Sequence, residues 1–97
     1  MLTGKQRSYL KGLANGLDTT VYIGKSGMTE QVLTAINREL NAKELVKCAI
    51  GEGSDLDPKT VCNEVAEELN AEFVQAIGRR FILYRRAKDP TKRKIQL

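Results

Sequence analysis

The stretch Gly24-Lys25-Ser26-Gly27 carries residue types that suit a phosphate group. It lies between a predicted strand and a predicted helix, so unpaired amides and the positive end of the helix dipole face it. Glycine lets a ligand approach closely, Lys25 adds a mobile charge, and Ser26 adds a hydroxyl donor. Four-residue GxxG loops clamp the RNA backbone in KH domains. An ordinary tight turn from strand to helix has the same pattern, and the loop alone leaves both interpretations open.

A second group of basic residues brackets the apolar segment 81–84. Paired arginines at the ends of a strand suit phosphate and sugar contacts. Tyr84 could stack on a base, although a tyrosine in an apolar strand more often lies in the core, and Tyr9 and Tyr22 are equally ambiguous. With few aromatic residues and no tryptophan, base stacking is not the predicted main mode of binding. The candidate nucleic-acid contacts outside the loop are Arg79, Arg80, Arg85, Arg86, Lys5 and Lys11.

Catalytic chemistry has little support in this sequence. The chain has no histidine, and Cys48 and Cys62 fall on apolar positions of predicted elements. Ser-His or Cys-His catalysis is therefore excluded, and the chain alone does not supply the four Cys or His ligands that a structural zinc site normally needs. We expect no enzyme activity, metal, cofactor or small-molecule substrate, and two buried, reduced cysteines.

Length and hydropathy predict one domain that does not enter a membrane. A chain of 97 residues with 41% apolar residues can bury one ordinary core. No apolar run approaches the ~20 residues that span a bilayer, and the first helix begins too polar for a signal peptide. We expect a cytoplasmic domain over residues 1–97, with a polar basic tail over about residues 88–97. The oligomeric state stays open.

The charges are segregated along the chain. Residues 1–29 carry a net charge of +3, residues 30–72 carry −6, and residues 73–97 carry +7. Such segregation is typical of a surface that faces a polyanion, provided that the two basic segments meet in the fold. A solvated basic tail is the alternative for Lys92-Arg93-Lys94, but it explains the arginines beside the apolar segment 81–84 poorly.

Periodicity and turn signals predict an α+β fold with the order αβαβαββ. Strands separated by helices favour parallel pairing, and Gly78-Arg79 predicts a type II′ hairpin between the last two strands. The result is a four-stranded mixed sheet with three helices. The predicted helices are residues 3–15 with a Thr3-Gln6 capping box, a second from Thr29 and Glu30 to an end signal at Asn41, and a third from Pro58 with Asp57 as N-cap. The predicted strands are residues 20–23, 45–50, 72–77 and 80–85.

With these residues in view, the chain resembles the CRM family, the chloroplast RNA splicing and ribosome maturation domain, and above all its stand-alone bacterial YhbY-type members. The resemblance covers nearly the whole chain in the family's order. The matching stretches are residues 2–6, 10–14, 23–29 (Ile-Gly-Lys-Ser-Gly-Met-Thr), 44–47, 74–78 and 83–85. The doubled Arg79-Arg80 at the hairpin departs from the family pattern.

The resemblance implies a fold like the C-terminal domain of translation initiation factor three, with an added first helix. It also implies RNA binding through Gly24, Lys25, Ser26 and Gly27 and an adjacent basic surface, and association with precursors of the large ribosomal subunit. The expected partner is therefore ribosomal RNA, and the expected role is ribosome assembly. The alternative is a protein-interaction module on the ribosome or another complex, in which the basic residues serve solubility.

Overall fold

The computed structural model describes residues 1–97, and its elements follow the predicted order. The prediction of an α+β fold with three helices and a four-stranded mixed sheet is confirmed. The helices are α1 (Gly4–Ala14), α2 (Glu30–Lys43) and α3 (Pro58–Glu68), and a short 3-10 turn follows at Pro90–Lys92. The strands are β1 (Val21–Ile23), β2 (Leu45–Ile50), β3 (Glu72–Ile77) and β4 (Arg80–Tyr84). None of the helices combines the length and the apolar character that a membrane crossing requires.

Side-chain caps start the helices where the sequence predicts. Thr3 and Gln6 form the reciprocal capping box, with amide-to-side-chain distances of 3.0 and 3.1 Å. Asp57 accepts the Thr60 amide at 3.0 Å, and Pro58 takes the first helical position, where its missing N–H costs nothing. These caps fix the register of both helices, so their apolar stripes face the sheet.

The strand order is β1-β2-β4-β3. Parallel pairing between strands separated by a helix holds for β1 and β2, but it does not hold for β2 and β3, because β4 lies between them and is antiparallel to both. Four consecutive residues of β4, from Phe81 to Tyr84, are buried. A continuous apolar run suits a strand that is covered on both faces, so β4 takes a central position.

Helices cover both faces of the sheet. The larger core lies between the sheet and α2 and α3, where Ile36 and Val65 meet Phe81 and Leu83. On the opposite face, which we call the α1 face, a smaller core joins Leu10 and Ala14 of α1 to residues of β2, β3 and β4. The strand residues of this smaller core are Leu45, Val74, Ile82 and Tyr84.

The end of α2 differs from the prediction. The helix passes Asn41 and continues to Lys43, and the chain then turns at Glu44 with a positive φ of 68°. The prediction that α2 ends at Asn41 is therefore wrong. The positive φ is uncommon for a glutamate, and buried hydrogen bonds from distant parts of the chain hold Glu44 in it.

These hydrogen bonds anchor the C-terminal segment. The Glu44 carboxylate is fully buried and accepts the backbone amides of Ala87 at 2.9 Å, Lys94 at 2.7 Å and Ile95 at 3.1 Å. Ile95 packs against the smaller core. The segment 88–97 is mostly exposed, as a polar tail should be, yet it is folded back onto the domain at this one carboxylate.

Candidate nucleic-acid interface

Three loops meet at one end of the sheet, which we call the loop end. They are the Gly24–Gly27 loop after β1, the 51–57 loop after β2, and the Gly78-Arg79 turn between β3 and β4. They converge because β1, β2 and β3 run in the same direction, as the pairings with β2 and β4 require. The Gly51 amide donates to the Ile23 carbonyl at 2.8 Å, which fixes the first two loops against each other.

The Gly24–Gly27 loop is a closed turn that leads directly into α2. The Gly27 amide donates to the Gly24 carbonyl at 3.0 Å, and the Thr29 amide donates to the Gly27 carbonyl at 3.0 Å. Thr29 is the N-cap of α2 and accepts the Val32 amide at 3.2 Å. Gly27 has a φ of 74°, a conformation that favours glycine.

The loop presents several backbone donors that no group of the chain occupies. Such amides, together with the dipole of α2, form the arrangement that binds anions at helix N-termini. The amides without an acceptor in the chain are those of Gly24, Lys25, Ser26, Met28, Glu30 and Gln31.

Lys25 supplies a free positive charge at this place. Its side chain forms no ion pair with any carboxylate, and it lies over Gly53, where an added Cβ would come within 3.4 Å of the Lys25 Cε. The ammonium group is therefore available to an anion at the loop end.

Gly24 differs from Gly27. Its φ is not positive, and a Cβ added there would meet no atom within 4 Å. The fold does not require glycine at this position, whereas a ligand that approaches the loop backbone would.

Arg79 and Arg80 lie next to each other at the loop end but are used differently. The Arg79 guanidinium donates to the carbonyls of Ile50 at 3.0 Å, Gly51 at 2.7 Å and Ser54 at 2.9 Å, so it holds the 51–57 loop in place. Arg80 is exposed, and its guanidinium donates to no group of the chain. The loop end therefore offers Lys25 and Arg80 as free cations.

Comparison with known proteins shows to which family this chain belongs. The profile of the CRS1 / YhbY (CRM) domain matches residues 2–85. The chain belongs to the CRM domain family. It is 40% identical over 97 residues to a Haemophilus influenzae protein named "RNA-binding protein", and the match covers 99% of this chain and 94% of that protein.

Two further relatives agree with this placement. The Bacillus subtilis "Probable RNA-binding protein YqeI" is 30% identical over 89 residues, and the match covers 92% of this chain and 93% of that protein. The solution structure of a hypothetical Staphylococcus aureus protein superposes with a TM-score of 0.81 at 33% identity, over 99% of this chain and all of the other. The architecture described above is thus that of a CRM domain.

The other arginine pair of this CRM domain lies at the opposite end of β4. Arg85 donates to the carbonyls of Leu69 at 2.8 Å and Asn37 at 3.3 Å, and to the side-chain oxygens of Asn37 and Asn41 at 2.9 Å each. Burial lowers the pKa of its guanidinium. Arg86 is exposed and lines a cavity of about 770 Å³ with Arg93 and the chain termini.

The two lysines proposed from α1 fall in different places. Lys5 is in the first turn of the helix, beside Leu2 and Gln6, which line the same cavity as Arg86. Lys11 lines a groove of about 540 Å³ along β3, the edge strand, and Ile77 lies at the loop end of that groove. The structure thus brings Lys25, Arg80 and Lys11 toward one end of the CRM domain and leaves Lys5, Arg85 and Arg86 at the other.

The sequence analysis missed two cations of this surface. Arg7 and Lys59 line the same groove as Lys11, and the Arg7 Nε donates to the Phe73 carbonyl at 3.2 Å. Arg7 precedes Lys11 by four residues, so both lie on one side of a helix, and this spacing could have identified Arg7 from the sequence. No local pattern of the sequence indicates Lys59.

The structure also separates the tyrosines. Tyr84 is buried, and burial followed by the nearby Glu44 charge raises the pKa of its hydroxyl. Tyr22 is 70% exposed and Tyr9 is 50% exposed. The alternation Val21-Tyr22-Ile23, with apolar neighbours on both sides, was a signal that Tyr22 faces away from the larger core.

Both cysteines are buried, as predicted. Burial raises the pKa of the Cys48 thiol and of the Cys62 thiol to about 12 each. Both side chains therefore stay protonated at neutral pH and act as small apolar groups in the larger core of the CRM domain.

Proposed function

We propose that this CRM domain binds RNA through its loop end, with the Gly24–Gly27 loop holding a backbone phosphate. One observation carries the proposal: unoccupied amides, the N-terminus of α2 and the unpaired Lys25 ammonium all meet at a single exposed turn. The names of the relatives support RNA as the source of the phosphate. Arg80 and the groove cations extend the basic surface beyond one phosphate.

The residue roles follow from the hydrogen bonds. Gly24, Lys25, Ser26 and Gly27 form the clamp, while Arg80 and Lys11 are further RNA contacts. Arg79 is a positioning residue, because its guanidinium already donates to the carbonyl of Ile50 at the end of β2 and to the carbonyls of Gly51 and Ser54 in the 51–57 loop. Arg85, Arg86 and Lys5 lie too far along the sheet to reach the same phosphate, so a contact from them requires an RNA that spans the domain.

The test of the clamp is the Lys25→Ala variant on a fragment of structured ribosomal RNA. We expect affinity to fall about three- to tenfold at low salt, the effect of roughly 1 kcal/mol. The log–log salt slope should become shallower by about 0.7, the value for one phosphate contact with a single strand. Lys92→Ala removes the same charge at the far end of the chain and is the matched control. Equal affinity of Lys25→Ala and wild type would refute the role of the loop.

We further propose that the RNA is a precursor of the large ribosomal subunit and that the domain acts in ribosome assembly. The whole-chain likeness to YhbY-type proteins supports this role. Sedimentation of the tagged protein from a cell lysate, combined with crosslinking and RNA sequencing, tests it. We expect co-migration with precursors of the large subunit. Recovery only in fractions free of ribosomal particles would contradict the assembly role, and complexes that survive nuclease treatment would favour a protein partner instead.

A further inference from the structure

We propose that the sheet beside the clamp is a stacking platform for one unpaired nucleobase, with Tyr22 as the stacking residue. The RNA bound by this CRM domain would then carry a single-stranded nucleotide next to the clamped phosphate. The proposal rests on RNA binding at the loop end and adds to it the structural class of the target.

The platform is one row of residues across all four strands. Tyr22 of β1 is opposite Ala49 of β2, Ala49 is opposite Arg80 of β4, and Arg80 is opposite Ile77 of β3. Alternation along each strand puts this row on the α1 face, since Val21 and Ile23 lie in the core on the other face.

Helix α1 covers the rest of this face but not this row. Leu45, Ile82 and Tyr84 are buried beneath α1 and its neighbours. In the row itself, by contrast, Tyr22 is 70% exposed and Ile77 is 65% exposed.

Lys47 fixes the place where α1 stops covering the sheet. Its ammonium donates to the carbonyls of Ala14 and Leu17, each at 3.2 Å, and thereby holds the last turn of α1 in place. The open strip of sheet beyond this anchor is therefore a fixed feature of the fold.

The shape of the row suits a flat ring. Neighbouring strands lie about 4.8 Å apart, so Tyr22 and Arg80 stand about 10 Å apart with only the Ala49 methyl between them. A base placed over Ala49 would lie against the Tyr22 ring and meet the Arg80 guanidinium on its other side. Stacking of this kind binds single strands with little sequence preference, because every base has a π-face.

The row also adjoins the clamp. Tyr22 precedes Gly24 by two residues, about 7 Å of strand, and the Ile23 carbonyl between them is fixed by the Gly51 amide. A base over the row and a phosphate at the loop would therefore belong to neighbouring nucleotides.

Charge favours a nucleic acid over a protein as the occupant. The row contains no carboxylate, and the side chains of Arg80 and Lys25 beside it have no acidic partner. An exposed aromatic ring among free cations suits a polyanion that carries aromatic bases.

The experiment uses a short RNA hairpin with a single-stranded extension that carries 2-aminopurine at successive positions. Wild-type protein should quench the fluorescence at one position, and Tyr22→Phe should keep both the quenching and the affinity within about twofold. Tyr22→Leu should abolish the quenching and weaken binding about tenfold, as loss of one stacked base does. Tyr9→Leu, which changes the exposed tyrosine of α1, is the matched control.

A blunt duplex without unpaired nucleotides separates stacking from phosphate binding. On this RNA, Tyr22→Leu should bind like wild type while Lys25→Ala binds more weakly. If Tyr22→Leu matches wild type on the extended RNA and Lys25→Ala does not, the platform is wrong and the clamp stands. If wild type binds neither RNA, both proposals are wrong. If Tyr22→Leu affects only a complex that survives nuclease digestion, the row contacts a protein and the platform is overturned.

Discussion

Single residues at the clamp show two different reasons for glycine in one short motif. Gly27 closes the turn with a φ of 74°, a backbone conformation in which other residues are strained. Gly24 has no such constraint and faces open space. The fold therefore requires the second glycine of the motif but not the first, and the proposed RNA clamp would give the first glycine its reason.

This difference predicts opposite behaviour of two alanine variants. Gly27→Ala should lower the free energy of unfolding by about 1–2 kcal/mol, because alanine is strained at positive φ. Gly24→Ala should change it by less than about 0.5 kcal/mol, since the added methyl meets nothing. Gly24→Ala should nevertheless weaken RNA binding, because the methyl stands where a phosphate approaches. Urea denaturation and RNA titration of both variants measure the two effects, and a Gly24→Ala protein with full affinity would exclude close approach at Gly24.

The residue types of the clamp could be read from the sequence, but the roles of the arginines could not. Arg79 and Arg80 are neighbours of the same type, yet one is bound to three carbonyls and the other is free. Carbonyl oxygens and phosphates accept the same donors, so only the tertiary neighbours decide between them. The position of the 51–57 loop supplied that information, and no local pattern carries it.

Elements were predictable where their signals are local. The caps at Thr3 and Asp57 and the II′ turn at Gly78 depend on residues within a few positions, and all three are confirmed. The insertion of β4 between β2 and β3 depends on which strand is buried on both faces. The end of α2 likewise depends on distant partners, because Glu44 turns the chain with the help of amides more than 40 residues away.

The anchoring role of Glu44 predicts a pH-dependent stability. Burial alone would raise the pKa of this carboxyl, but the amides of Ala87, Lys94 and Ile95 and the charge of Arg93 together hold the pKa below its ordinary value of 4.5. The unfolded state therefore binds the proton more readily than the folded state. The stabilisation is present above the ordinary pKa and is lost as the pH falls through the lowered one.

Glu44→Gln should therefore be less stable than wild type by about 1–3 kcal/mol at neutral pH, because an amide offers a single acceptor to three donors. The stability difference should shrink as the pH falls below the ordinary pKa of 4.5 and through the lowered pKa of the folded state, where the wild-type carboxyl takes up its proton. Thermal unfolding of both proteins across this range measures the difference. Glu39→Gln, which alters only a surface pair with Lys43, is the control. A difference that stays constant with pH would show that the charge of Glu44 does not hold the C-terminal segment.

On the scale of the whole molecule, the basic and acidic segments of the sequence occupy partly different sides of the fold. Lys25 from the first basic segment and Arg80 from the last both lie at the loop end. The two basic segments therefore come together in part, as a surface that faces a polyanion requires. The acidic segment supplies the outer side of α3, where Glu64, Glu67 and Glu68 are exposed. The field at the clamp is therefore the sum of its cations and of carboxylates at several distances, including the three in the 51–57 loop.

Four carboxylates depart from this separation. Glu52, Asp55 and Asp57 are exposed in the 51–57 loop at the loop end, and Glu30 is exposed in the first turn of α2, beside the clamp. There it stabilises the helix through the dipole, and it would also oppose a phosphate bound at the proposed clamp. Glu67, in the last turn of α3, carries the same charge on the acidic side of the domain. The two residues thus form a matched pair that differs in distance from the clamp.

Glu30→Gln should raise the affinity for RNA about two- to threefold at low salt, because a like charge within several ångströms costs roughly 0.5 kcal/mol in water. The same change should lower stability by about 0.5 kcal/mol through the lost dipole interaction. Glu67→Gln should raise the affinity less, since Glu67 lies in the last turn of α3, a helix that starts after the 51–57 loop and runs away from the loop end. Exposed charges are screened over ~10 Å at 0.1 M salt, so the effect should fall with distance from the clamp. RNA titrations over a range of salt concentrations measure both variants. If both raise affinity equally, net charge rather than the local field at the α2 N-terminus controls binding, and the clamp loses its electrostatic basis.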